Sequence, residues 1–164
     1  MVPAVKDGDL IISSTEIREN IKLGQMEKAA KLLGRCYSIS GNTVHGRSIG
    51  KTLDFPTINT EINENKLLPQ EGVYATFVKV LGRTFKGMTN IGTNPTVTDE
   101  GKLTVETHIL GFNEDIYQKP AQILFVKKIR DGKKFDNIEQ LKDQLSDDAF
   151  LINAFLDTRK DVLL

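Results

Sequence analysis

The sequence predicts a mainly β protein, an antiparallel sandwich or a small barrel, with a short helical hairpin before the sheet and C-terminal helices after it. Short runs rich in β-branched and aromatic residues recur through the middle of the chain, and turn residues rather than helical patterns separate them. Strands that follow one another without intervening helices pair antiparallel. The chain has 164 residues, of which 39% are hydrophobic, and this suits one domain with a packed core.

The helical hairpin is predicted from capping signals near the N-terminus. Ser13 and Glu16 have the spacing of a capping box, and Gly24 suits the end of the helix that follows. A second run of good helix formers ends at Gly34. We therefore expect two helices within residues 13–34.

Six segments have the composition of β-strands. The one that begins at Val73 carries apolar residues on both faces, so we expect it to be buried on both sides over part of its length. Gly82-Arg83 follows it and has the Gly-first pattern of a tight hairpin turn. The six segments span residues 36–44, 57–62, 73–81, 84–91, 103–110 and 121–129.

The C-terminal region returns to helical patterns. Asp136 and Glu139 have N-cap and N3 spacing before an apolar stripe. Ser146 is suited to cap a last helix, with Asp147 and Asp148 complementing the dipole in its first turn. We expect the apolar face of this region to pack on the sheet.

The amino-acid composition argues against several classes of function. Basic and acidic residues number 22 each, whereas a protein dominated by nucleic-acid binding is expected to be basic. Cys36 and the two histidines supply too few ligands for a zinc cluster. No apolar run approaches the roughly 20 residues that span a membrane, and the N-terminus lacks a signal-peptide pattern. We expect a cytoplasmic protein with neither nucleic acid nor membrane as a partner.

The stretch from residue 44 to residue 59 is the strongest candidate for a functional site. Gly46 and Gly50 allow close backbone approach, and Arg47 and Lys51 add positive charge to the same loop. Exposed N–H groups in such a loop can cradle an anion. The alternative is a hairpin loop that binds nothing, because short glycine-containing basic loops are weak motifs.

Five polar side chains at or near this stretch are candidates for chemistry or for local hydrogen bonding. Thr57 and Asn59 point to one face of an extended segment, where their oxygens suit Mg²⁺ or are simply solvated. Glu106 lies in a strand-like run and either accepts a proton from an attacking hydroxyl or is a solvated edge residue. His45 and His108 are expected to be local hydrogen-bonding partners, because no Ser or Cys nucleophile motif accompanies them.

Two further segments are candidates for ligand contacts. The polar run from Asn90 to Thr96 contains Gly and Pro and is either a structured turn or a binding loop. Arg130 opens an Arg-Asp-Gly turn at a strand end, and its guanidinium could still reach a phosphate or a flat ring.

A set of segments follows in order over residues 32–145: LLGRCYSISGNTVHG, GKTLDFPTIN, LLPQEGVYA, NIGTNPT, VETHIL with GFNEDIY, and LFVKKIRDGKKF. In this order they resemble the riboflavin kinase module of the bacterial bifunctional riboflavin kinase/FAD synthetase family. The hallmark of that family, Pro-Thr-Ala-Asn, reads Pro56-Thr57-Ile58-Asn59 here. The ordered set is more specific than any one of its motifs.

The resemblance implies a closed antiparallel Greek-key β-barrel and a kinase that makes FMN from riboflavin and ATP. It implies that Glu106 is the base for the 5′-hydroxyl of riboflavin, and that Thr57 and Asn59 hold Mg²⁺ with ATP as co-substrate. The ATP-binding residues it implies are His45, Gly46, Arg47, Gly50, Lys51, Thr57 and Asn59. The flavin-binding residues it implies are Asn90, Gly92, Thr96, Arg130 and Phe135.

Two positions depart from the family pattern. Asp54 stands where the family usually has Gly. It adds negative charge beside the expected phosphate site unless it faces away or pairs with Lys51 or Arg47, and restoring Gly is expected to lower the KM for ATP. Ile58 replaces a small Ala. Because Ile58 alternates with Thr57 and Asn59, we expect it to point to the opposite face and to fill the core.

The N-terminal run ISSTEIR resembles the last motif of the family's adenylyltransferase module. We therefore divide the chain into a flexible lead-in (1–12), a hairpin remnant of that module (13–34) and a kinase barrel with C-terminal helices (35–164). The chain is expected to lack FAD synthesis and to have that module as its partner in a full-length protein, as a shortened form or a natural remnant. Two alternatives remain: a flavin- or nucleotide-binding regulatory module without turnover, and a helix-bearing interaction domain.

Overall fold

The structure, a computed structural model, describes residues 6–7, 10–11, 13–45, 55–93 and 103–159. The first two pieces are the short antiparallel strands β1 (Lys6–Asp7) and β2 (Leu10–Ile11). The sequence instead predicts a flexible lead-in for this region. Two-residue strands are too short to show the alternation from which strands are predicted.

The predicted helical hairpin is confirmed as α1 (Ser14–Lys22) and α2 (Met26–Leu33). The Ser13 hydroxyl accepts a hydrogen bond from the Glu16 backbone N–H at 3.1 Å, as in a capped N-terminus. Gly34 ends α2 in the left-handed conformation, with φ of 67°. The hairpin closes one part of the barrel, since buried side chains of both helices join the barrel's interior cluster.

Six strands form a closed antiparallel barrel in the order β3-β4-β7-β6-β5-β8, which confirms the predicted fold class. Strands β5, β6 and β7 are consecutive neighbours, and β8 returns beside β5, which is a Greek key. The six strands are β3 (Tyr37–His45), β4 (Thr57–Thr60), β5 (Gly72–Val80), β6 (Arg83–Thr93), β7 (Leu103–Ile109) and β8 (Pro120–Arg130).

The turn between β5 and β6 differs from its prediction. Val80 pairs with Arg83, so the two central residues are Leu81 and Gly82 rather than Gly82 and Arg83. Both have positive φ, 51° and 70°, which is the pattern of a type I′ turn. This turn matches the twist of the strands, but it places Leu81 in a conformation that an L side chain disfavours.

Side chains of alternating residues fill the barrel interior. β5 is buried along nearly its whole length, as its two apolar faces predict. A line of buried threonine hydroxyls crosses three strands: Thr76 and Thr89 lie 2.8 Å apart, and Thr89 and Thr107 lie 2.9 Å apart. These bonds satisfy hydroxyls that would otherwise be costly to bury.

One long helix, α3 (Ile138–Asp157), occupies the C-terminal region where the sequence predicts two. Asn137 rather than Asp136 is its N-cap, and the side chain of Asn137 accepts from the Gln140 N–H at 2.9 Å. Ser146 lies inside the helix and donates back to the Lys142 carbonyl at 3.0 Å, so it caps nothing. α3 packs its buried face against the outer surface of the barrel.

Candidate active site

Three polar residues form a row on the outer surface of neighbouring strands. In the strand register, Glu106 on β7 lies opposite Asn59 on β4 and opposite Asn90 on β6. Residues directly opposite each other in an antiparallel pair have Cβ atoms roughly 5 Å apart on the same face. The structure therefore brings Glu106, Asn59 and Asn90 together, although they are distant in sequence.

The adjacent row places Thr57 opposite His108. Thr57 and Asn59 share the outer face, because they are two residues apart in β4. Ile58, between them, packs against the interior cluster. This confirms the prediction that Ile58 points away from Thr57 and Asn59 and fills the core.

Of the polar atoms in this row, the side-chain oxygen of Asn59 has the environment that most clearly indicates a ligand. Its side-chain oxygen Oδ1 is buried and has no hydrogen-bond partner among the described residues. An unsatisfied buried acceptor is costly and calls for a donor or a cation. With the Thr57 hydroxyl on the same face, this oxygen suits a hard cation such as Mg²⁺, which prefers oxygen ligands.

The connection between β3 and β4 starts and ends beside these residues. Val44 pairs with Asn59, and His45 pairs with Ile58, so both ends of this connection adjoin the polar rows. Of the predicted ATP-binding residues, Gly46, Arg47, Gly50 and Lys51 lie outside the described residues, as does Asp54. The backbone of His45 is described as the end of β3.

His108 is held in a partly apolar environment beside Thr57. Its Nδ1 lies 2.9 Å from the Pro56 carbonyl oxygen, so Nδ1 carries the proton and donates. The Phe55 ring meets the imidazole edge-on, with centroids 5.1 Å apart. Burial lowers the pKa of His108, partly offset by the bond to Pro56. The neutral imidazole is a local hydrogen-bonding partner, as the sequence predicts.

The predicted flavin-binding residues are only partly described. Asn90 and Gly92 belong to β6, which continues to Thr93, so this part of the predicted loop is strand. Phe135 follows β8, and the Lys133 ammonium lies 5.4 Å from its ring centroid. Thr96 lies outside the described residues.

Arg130, at the end of β8, is held by a buried carboxylate on α3. Its Nε donates to Asp148 Oδ2 at 2.9 Å, and its Nη2 donates to the same oxygen at 2.7 Å. Gln144 Nε2 donates to Asp148 Oδ1 at 3.0 Å. Asp148 is only 4% exposed. It lies in the middle of α3, so it is not the first-turn residue that the sequence predicts.

Sequence reasoning missed this role of Asp148, although a signal was present. Asp148 shares the helix stripe of Leu145 and Ile152, three residues before it and four after it, and both pack against the barrel. An acidic residue within a buried stripe needs a partner.

Metal clusters and membrane-spanning helices are both absent from the described ranges. They contain no group of three or more His, Cys, Asp or Glu residues able to hold a metal ion. They also contain no helix long and apolar enough to cross a membrane.

Comparison with known proteins gives a consistent result. The family model named Flavokinase, described as riboflavin kinase, matches residues 33–156. The bifunctional riboflavin kinase/FMN adenylyltransferase of Listeria monocytogenes is 41% identical over 150 residues, which cover 92% of this chain and 48% of that protein. The chain thus spans about half the length of the curated relatives it matches.

Solved structures share the fold. A crystal structure described as a macrolide-efflux protein from Streptococcus pneumoniae superposes with a TM-score of 0.84 at 36% identity, over 93% of this chain and 50% of that one. Riboflavin kinase from Trypanosoma brucei superposes with a TM-score of 0.56 at 25% identity, over 73% of this chain and 79% of that one.

Proposed function

The chain belongs to the riboflavin kinase family, and we propose that it transfers the γ-phosphoryl group of ATP to the 5′-hydroxyl of riboflavin, giving FMN and ADP. One observation carries this proposal: Glu106 lies in a single cross-strand row between Asn59 and Asn90. A carboxylate beside an oxygen-ligand site is the arrangement that phosphoryl transfer to a hydroxyl requires.

Glu106 acts as the base in this proposal. Its carboxylate takes the proton of the riboflavin hydroxyl while that oxygen forms a bond to the γ-phosphorus. The bond between the γ-phosphorus and the bridging oxygen breaks, and ADP leaves with the electron pair. Because the phosphoryl group moves directly, positioning and electrostatic stabilisation supply most of the rate.

Asn59 and Thr57 hold the divalent cation in this proposal. The buried Oδ1 of Asn59, which lacks a hydrogen-bond partner among the described residues, supports the assignment, and both ligands are oxygens of the kind that Mg²⁺ prefers. When bound with ATP, Mg²⁺ neutralises phosphate charge. The predicted basic loop after His45 takes the phosphates, and the flavin lies towards Asn90, Gly92 and Arg130.

In this proposal an adenylyltransferase module is a further partner of the kinase domain. The relatives are bifunctional and about twice as long as the matched region, so an adenylyltransferase module is the partner of this domain, and α1 and α2 belong to that module. The reaction takes place in the cytoplasm, where the buried thiol of Cys36 stays reduced.

The test is FMN formation from riboflavin and ATP, followed by chromatography, with Mg²⁺ present and with the metal removed by a chelator. The proposal predicts FMN only with the metal. Riboflavin binding without FMN formation under any metal condition would instead identify a flavin-binding module without turnover. Thr84→Ala, on the exposed far end of β6, is a control that should retain the parent rate.

A further inference from the structure

The ion pair between Arg130 and Asp148 is a costly feature for a small barrel to keep. Both charges lose most of their hydration, since the Arg130 side chain is 21% exposed and that of Asp148 is 5% exposed. Apolar residues of similar volume often serve stability equally well at such a position. What the pair supplies, and apolar packing does not, is a fixed orientation for a planar guanidinium.

Arg130 lies on the same strand row as the proposed catalytic residue. It pairs with Val73, which pairs with Asn90, which pairs with Glu106. Three strand spacings separate Arg130 from Glu106 along the sheet, roughly 14 Å. An elongated substrate whose hydroxyl end lies at Glu106 therefore has its other end in the direction of Arg130.

The guanidinium retains donors for a ligand. Nε and Nη2 bond to Asp148, and Nη1 donates to the Asp131 carbonyl at 3.0 Å. Each terminal nitrogen carries two N–H groups, so one on Nη1 and one on Nη2 have no acceptor among the described residues. Because Asp148 already neutralises the charge, a neutral carbonyl oxygen suits these donors better than a phosphate does.

We propose that Asp148 is a positioning residue for flavin binding: it fixes the Arg130 guanidinium so that the outer N–H groups donate to a carbonyl oxygen of the flavin ring. Gln144 assists by holding the second oxygen of Asp148. This assignment rests on the proposed function, and it selects the flat ring over the phosphate as the partner of Arg130.

The experiment compares Asp148→Asn with Asp147→Asn, which makes the same charge change at the exposed neighbouring position. Riboflavin affinity is measured by quenching of flavin fluorescence, and KM and kcat are measured by FMN formation. For Asp148→Asn we expect the riboflavin Kd and KM to rise about tenfold, as for a lost charged hydrogen bond. The KM for ATP and kcat per folded molecule should stay within about twofold, as should every parameter of the control.

A purely structural role gives a different pattern. It lowers the melting temperature and the folded fraction of Asp148→Asn but leaves the riboflavin Kd of the folded protein at the parent value, and this result overturns the inference. A raised KM for ATP with an unchanged riboflavin Kd also overturns it. If Asp148→Asn does not fold, Gln144→Leu takes its place, because it keeps the ion pair. Gln144→Leu should raise the riboflavin Kd about twofold to threefold. An unchanged riboflavin Kd in Gln144→Leu overturns the inference.

The binding measurement separates this inference from the proposed function. If the parent binds riboflavin but forms no FMN, the kinase proposal fails, whereas a weaker Kd in Asp148→Asn still supports the positioning role. If the parent forms FMN and the variant binds riboflavin as tightly as the parent, the positioning role fails alone.

Discussion

Glu106 and Asn59 lie directly opposite each other on β7 and β4. This pairing places a carboxylate beside an amide oxygen that is buried without a hydrogen-bond partner among the described residues. The proposed proton acceptor and the proposed cation ligand are thus adjacent on one strand pair, and the barrel rather than a loop fixes their separation.

Thr57→Ala tests the proposed cation site. Removing the hydroxyl deletes one oxygen ligand, so the Mg²⁺ concentration for half-maximal FMN formation should rise at least about tenfold. Calorimetry of ATP binding with and without Mg²⁺ should show that the metal no longer strengthens binding. Thr84→Ala is the matched control. An unchanged Mg²⁺ dependence in Thr57→Ala would remove Thr57 from the metal site.

The lowered pKa of His108 predicts that the stability of the protein depends on pH. Burial lowers its pKa below the ordinary value of 6.5, so the unfolded chain binds the proton more readily than the folded one. The free energy of unfolding should therefore increase as the pH rises from below the folded pKa to above 6.5. Urea unfolding of the parent and of His108→Gln between pH 5 and pH 8 checks this.

The comparison isolates one residue, because every other titrating group is common to both proteins. The parent should lose stability relative to His108→Gln as the pH falls below 6.5. Parallel stability curves for the two proteins across this range would show that the burial of His108 has no such consequence.

Leu81 offers a stabilising substitution. Its φ of 51° is unfavourable for leucine, whereas Asn tolerates this conformation and Asn-Gly is the preferred type I′ pair. Leu81→Asn should raise the free energy of unfolding by about 1 kcal/mol. Leu151→Asn is the control, since this leucine is similarly exposed but helical, and it should give no gain. Equal effects of the two substitutions would contradict the conformational explanation.

Gly41 is required by close backbone packing. A Cβ at this position would lie 1.8 Å from the Glu61 carbonyl oxygen, and a backbone atom cannot move aside as a flexible side chain can. Gly41→Ala should lower the free energy of unfolding by at least about 3 kcal/mol. At Gly132 an added Cβ meets no described atom within 4 Å, so Gly132→Ala should be nearly neutral. Similar unfolding midpoints for both variants would refute this account.

The strands could be predicted from the sequence because alternation and turn residues are local signals. Their register could not, and the site depends on it: a slip of one residue would turn Glu106 into the barrel interior. Periodicity also left a sandwich and a barrel open, and only the resemblance to a known family implied closure. The pairing of Glu106 with Asn59 and Asn90 comes from long-range strand contacts that no local pattern carries.

The wrong predictions for the C-terminal region also arise from long-range contacts. Ser146 has the character of a helix cap, but packing of the helix face against the barrel makes one continuous helix and leaves Ser146 inside it. The sequence therefore predicts Asp148 as a dipole partner, whereas its partner in the structure, Arg130, lies on a strand. Leu81 was missed because a leucine at positive φ opposes its own preference, and tertiary pairing of β5 with β6 overrides it.

The most direct test of the account compares Glu106→Gln with Glu61→Gln, a control at an exposed position just beyond β4. The measurement is kcat for FMN formation with saturating riboflavin, ATP and Mg²⁺, together with the riboflavin Kd. The account predicts a loss in kcat of at least about a hundredfold for Glu106→Gln, an unchanged Kd, and the parent rate for Glu61→Gln. A Glu106→Gln variant with kcat within a few-fold of the parent would contradict the account.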